Sequence, residues 1–75
     1  MVTVLRQYGM RFVVYTADHE PPHVHVFGDG EARIDMVNLK VISQGGMSDR
    51  DLRRAAAVIE ANQQLFLDTW RRYHG

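Results

Sequence analysis

Cysteine is absent from this chain, so neither a disulfide nor a thiolate metal centre can hold it together. That absence fits a reducing compartment and points to the cytoplasm. Long apolar runs are missing as well: Phe12 to Tyr15 and Ala55 to Ile59 fall far short of the ~20 residues that a membrane-spanning helix requires. The opening segment, Met1-Val2-Thr3-Val4-Leu5-Arg6, alternates like a strand and lacks the basic start and apolar stretch of a signal peptide. A soluble, unexported protein with no membrane partner is the expectation. Nor does charge of one sign dominate. Nine Lys plus Arg balance nine Asp plus Glu, so whole-chain electrostatics favour neither nucleic acid nor an acidic membrane, and any such binding needs a local patch.

Proline is scarce too, and its two copies are adjacent, in His19-Glu20-Pro21-Pro22-His23-Val24-His25-Val26. This segment holds three of the four histidines beside a stiff corner, since the residue before a proline is held extended. On a strand, positions two apart share a face, so His23 and His25 stand side by side. Paired imidazoles can bind a metal, move a proton or contact a phosphate.

At 75 residues the chain makes one domain, residues 1–75, with a single modest core. Periodicity divides it at Gln44-Gly45-Gly46 into a sheet region, 1–43, and a helical region, 48–74. The alternation predicts strands at Val2 to Arg6, Met10 to Thr16, His23 to Phe27 and Glu31 to Met36, with a fifth around Leu39 to Ile42. Gly9 permits the first turn. Ser48 is a good N-cap, Asp49 and Asp51 suit the positive end of the helix dipole, and Arg71, Arg72 and His74 suit the negative end. The apolar line Leu52, Ala55, Ala56, Ile59, Phe66, Trp70, Tyr73 gives one long helix, interrupted by Asn62 and Gln63, whose apolar face lies on the sheet. A buried Asn62 must bond a backbone group. The fold class is therefore α+β: a small, mainly antiparallel sheet of four to five strands with one long C-terminal helix on one face.

The hairpin at Gly28-Asp29-Gly30 fixes which side chains accompany the histidines. A two-residue Asp29-Gly30 turn would pair Val26 with Arg33 and His25 with Ile34, mixing apolar and polar on both faces. A three-residue loop, with Gly30 left-handed at a bulge, pairs Val26 with Ala32 and Val24 with Ile34 instead. The opposite face then matches His25 with Arg33 and His23 with Asp35, a patch of His, His, Arg and Asp away from the helix.

These residues carry a resemblance. Thr3-Val4-Leu5-Arg6, Gly9 with the aromatic-rich strand Phe12 to Tyr15, the stretch from Asp18 to Val26, and the helix with Leu52-Arg53-Arg54 and its aromatic end resemble the bacterial family called domain of unknown function 4160. The resemblance spans nearly the whole chain and implies a small α+β bacterial domain. It further implies a gene partnership with another small protein, in a toxin and antitoxin-like arrangement, and it assigns no activity to the histidines.

Three functions suit this patch. The expected one is a protein-interaction module of a two-protein regulatory or toxin and antitoxin-like system, in which a small partner protein stabilises a small core through an exposed sheet edge. The alternative is a histidine-dependent ribonuclease or RNA-binding domain, with His23 and His25 as general base and acid and Arg33 stabilising the pentavalent phosphorane. The third is a metal-binding protein in which His23 and His25 take a divalent transition metal and Asp35 or His19 adds a third ligand.

Overall fold

Short alternating segments separated by glycine, proline and asparagine form the first half of the molecule. The computed structural model describes residues 1–74. Val2–Gln7 (β1), Met10–Val14 (β2), His23–Phe27 (β3), Glu31–Asp35 (β4) and Val41–Gly45 (β5) make one antiparallel sheet whose spatial order is its chain order. Two helices follow, Asp49–Ala61 (α1) and Gln63–His74 (α2). Neither helix is long and apolar enough to cross a membrane.

One face of the sheet is the core. Alternation along β2, β3 and β4 sends Phe12, Val14, Val24, Val26 and Ile34 to that face, where all five are fully buried. Ala55, Val58 and Ile59 of α1 and Phe66 and Trp70 of α2 complete the cluster, with the Phe12 and Phe66 rings tilted and 6.0 Å apart. Tyr73, which shares the apolar line in sequence, lies instead at the exposed end of α2.

The expected single helix is two. Asn62 leaves helical geometry at φ −124°, ψ 26°, and its side-chain Nδ2 donates to the Val58 carbonyl at 2.8 Å, which the Asn62 backbone N–H also approaches at 3.1 Å. One carbonyl thus serves two donors of the same residue, and the helix breaks there. Phe66 N–H still reaches the Asn62 carbonyl at 3.1 Å, so the second helix resumes at once. The tie to the sheet comes from the next residue: Gln63 Nε2 donates to the carbonyls of Met36 and Val37 at 2.9 and 3.2 Å. At the other end Ser48 caps α1 as expected, its Oγ accepting from Asp51 N–H at 3.1 Å.

The turns set the register. Tyr8 and Gly9, both at positive φ, make a two-residue turn between the paired Gln7 and Met10. The β3–β4 hairpin pairs Phe27 with Glu31, Val26 with Ala32, His25 with Arg33, Val24 with Ile34 and His23 with Asp35, the three-residue register. Gly30 has a different role from the one expected. It is not left-handed; Gly28 N–H donates across the loop to the Gly30 carbonyl at 2.9 Å. A Cβ at position 30 would lie 2.5 Å from the Gly45 carbonyl oxygen and 2.6 Å from Met47 N, so the glycine admits the backbone of the β5–α1 turn.

The fifth strand starts later than the expected Leu39 to Ile42. Leu39 itself sits in the turn at φ 60°, with its N–H on the Asp35 carbonyl at 2.9 Å, while Asp35 N–H bonds the Lys40 carbonyl at 2.8 Å. Asp35 organises this turn through its side chain: Oδ1 accepts from the N–H groups of Val37 and Asn38 at 2.8 and 2.9 Å. Desolvation pushes its carboxyl pKa up, but the bonds from Asn38 and Val37, with the charge of nearby His23, outweigh it and leave the pKa below its ordinary 3.8. A depressed folded-state pKa gives stability that is complete above the unfolded value and fades as pH falls through the folded one. Wild type should therefore exceed Asp35→Asn in stability at pH 6. The two should converge once pH drops below the depressed value, which urea denaturation across that range checks.

Candidate metal centre

His23 opens β3 directly after the double proline, where the Pro21 carbonyl lies 2.8 Å from its Nδ1. A carbonyl only accepts, so Nδ1 carries the proton and donates. Any lone pair of the ring is then on Nε2. That atom faces Asp18 Oδ2 at 3.0 Å, and His25 Nε2 meets the same oxygen at 2.8 Å. Two imidazoles and a carboxylate thus converge, their ligand atoms all within 4.8 Å of one another. An acceptor nitrogen against a carboxylate oxygen needs a positive centre between them, either a proton or a metal ion.

Each side chain is placed by a different local cause. His23 and His25 share a face because they are two apart on a strand. Asp18 arrives from outside the sheet, on the loop after β2, where a backbone turn closes between Asp18 N–H and the Tyr15 carbonyl at 3.3 Å. Aromatic rings wall the cluster: Tyr15 meets His25 edge-on at 4.5 Å, Trp70 lies 5.5 Å from His23, and Phe27 runs nearly parallel to His25 at 6.3 Å. His23 is almost fully buried, whereas His25 and Asp18 remain partly open. The Trp70 contact means that this end of the patch is not wholly opposite the helices, because α2 passes the start of β3. Trp70 Nε1 is also 3.4 Å from Glu20 Oε1, which ties the proline corner to the same helix.

Of the residues singled out in the sequence, the structure joins His23 and His25 at one carboxylate, keeps Asp35 and Arg33 as their cross-strand neighbours with side chains engaged elsewhere, and leaves His19 outside. Asp35 is paired with His23 in register, but its oxygens are engaged by the turn amides and by Asn38 Nδ2 at 3.4 Å. His19 is exposed and outside the cluster. Arg33 lies across from His25, with its Nε donating to Ser43 Oγ at 2.9 Å. Both ring nitrogens of His23 are engaged, by Pro21 and Asp18, whereas His25 is held through Nε2 alone. The side chain that the sequence did not disclose is Asp18. Its one signal was its place at the mouth of the proline loop, just ahead of the two histidines.

Comparison with known proteins bears on the family alone. No curated protein and no solved structure matches the chain. A family model does match, over residues 9–71, which takes in four of the strands, the histidine segment and most of both helices. The chain belongs to the family described as domain of unknown function DUF4160.

Proposed function

We propose that this protein binds a divalent transition metal through His23 Nε2, His25 Nε2 and a carboxylate oxygen of Asp18. The observation that carries this reading is the 2.8 Å contact of His23 Nδ1 with the Pro21 carbonyl, which occupies that nitrogen as a donor and leaves Nε2, facing Asp18 beside His25, as the ring atom that an ion would take. A backbone carbonyl on the far nitrogen is the usual outer support of a metal-binding histidine: it fixes the tautomer and aims the ring. The spacing is close to what an ion needs. Bonds of 2.0–2.2 Å at tetrahedral angles separate ligand atoms by roughly 3.3 Å, so the 2.8 and 3.0 Å contacts to Asp18 need to open by only a few tenths of an ångström, and the two imidazole nitrogens lie within 4.8 Å of each other. Two imidazoles with one carboxylate suit zinc, iron(II), nickel or manganese, and three protein ligands leave coordination positions for water or substrate.

Titration calorimetry on untagged protein, with zinc and nickel, tests this. Wild type should take up one ion per chain. Asp18→Asn and His25→Ala should each weaken binding by about a hundredfold or more, because each removes a ligand outright. His19→Ala and Asp35→Asn should bind as wild type does. Equal affinity in all five proteins would end this reading.

A second reading, a protein-interaction module, draws on β5. Every residue of this edge strand is exposed, Val41 and Ile42 among them, and its outer backbone groups have no strand beside them. Recovery of a small protein with untagged material from its native cells, lost on substituting Ile42 by Lys, is the outcome this reading expects.

A further inference from the structure

The sheet face that carries the histidines meets a helix only at the start of β3, where Trp70 of α2 lies against His23, and its register places side chains in two cross-strand rows. One row runs Arg6, Arg11, Phe27, Glu31, Gly45. The next runs Thr3, Val13, His25, Arg33, Ser43. We propose that this face binds single-stranded nucleic acid, with bases on the His25 and Phe27 rings and the phosphate backbone on Arg6, Arg11 and Arg33.

The chemistry is that of a stacking platform with cations around it. The His25 and Phe27 rings are nearly parallel, 13° apart, and adjacent along β3, and Arg11 holds its guanidinium 5.2 Å from the Phe27 ring centre. Stacking on such rings tolerates any base, because every base has a π-face. Beside them a groove of about 430 Å³, lined by His25, Phe27, Glu31, Arg33, Ser43 and Gln44, has the size for one nucleotide. A row of five strands extends over about 19 Å, so its cations are spread along a path rather than gathered at a point.

The local charge differs from that of the whole chain. Arg6, Arg11 and Arg33 lie on these rows, and among the described residues none of the three has a carboxylate partner. Glu31 is the one carboxylate in the two rows. Asp35, in the adjoining row opposite His23, is engaged by turn amides, and Asp18 is engaged by the histidines. An oligonucleotide rather than an acidic protein segment is the occupant, because the arginines surround aromatic rings that a chain of carboxylates would leave unused.

The proposal does not depend on the metal, and its test is run in EDTA. Fluorescence anisotropy with labelled twelve-residue oligo(U) and oligo(dT) should show saturable binding to wild type. The affinity should fall with salt at a log–log slope of about −2 for three arginine contacts. Phe27→Leu should lose about fivefold or more, the effect of one stacked base. Arg6→Gln and Arg33→Gln are exposed changes that leave folding intact, and should each reduce both affinity and slope, while Arg72→Gln on α2 binds as wild type does. A tighter complex with oligo(U) or with oligo(dT) identifies RNA or DNA as the ligand. Absence of binding at 50 mM salt, equal binding of a DNA duplex, equal displacement by polyglutamate, or unchanged binding by the Phe27 and arginine variants would each overturn the proposal.

Discussion

Trp70→Ala should destabilise this domain by about 3–5 kcal/mol, the range for removing a buried aromatic side chain and leaving a cavity. For a chain of 75 residues the whole folding free energy is on the order of 4–11 kcal/mol, so the variant should sit near or beyond its unfolding threshold. Trp70 is only 3 % exposed, and its ring supports more than the core. It stacks on His74 at 3.7 Å and 9°, lies against His23, and its Nε1 reaches Glu20. Removing it therefore loosens the proline corner and the buried histidine together. Trp70→Phe keeps most of the packing and loses the indole N–H, so its effect should be about 1–2 kcal/mol. Urea denaturation followed by far-ultraviolet circular dichroism is the measurement, since the chain has one tryptophan and both variants remove the fluorescent probe. Equal stability of Trp70→Ala and wild type would contradict the packing described for α2.

Gly30→Ala should be the most damaging single-methyl addition, at about 3 kcal/mol or more. Overpacking typically costs about 1–3 kcal/mol where side chains can yield, and here the neighbours are backbone. The added carbon would meet the Gly45 carbonyl oxygen and carbon and nitrogen atoms of Gly46 and Met47 at 2.5–2.6 Å, so the β5–α1 turn must move away from the β3–β4 loop. Gly28→Ala is the matched control in the same loop. Its nearest neighbour, at 3.0 Å, is Met10 Cγ, part of a flexible side chain, so the loss should be smaller. Thermal unfolding of both variants should show Gly30→Ala melting well below Gly28→Ala, and the reverse order would refute the close approach.

The same two glycines show what could be read from the sequence and what could not. The hairpin register was legible because alternation is strict on both strands and only a three-residue loop keeps Val24 and Val26 facing Ile34 and Ala32. The physical reason for Gly30 was not, because it lies in a segment that passes from 15 residues further along the chain. Ser48 announced its helix through local chemistry that a few residues suffice to define. The break at Asn62 depended on a competition for one carbonyl, which an apolar stripe spaced by threes and fours does not record. In the site, strand periodicity brought His23 and His25 together and set Asp35 opposite His23. Register, however, says which residues are neighbours and not where a carboxylate spends its lone pairs. Asp35 turned to the amides of its own turn, and the carboxylate that meets both histidines came from a loop with no periodicity to betray it.

Because the strands lie in the sheet in the order in which they occur in the chain, each strand finds its partner after a short loop closure. Such local wiring favours fast folding and lets the hairpins form one after another as the chain leaves the ribosome. The apolar face they create is a different matter. Phe12 waits for Phe66, and His23 for Trp70, across some fifty residues of further synthesis. During that interval a nearly finished sheet exposes its greasy side, with an unpaired edge at β5, and it is most open to chaperones or to a neighbouring nascent chain until the final helix closes over it.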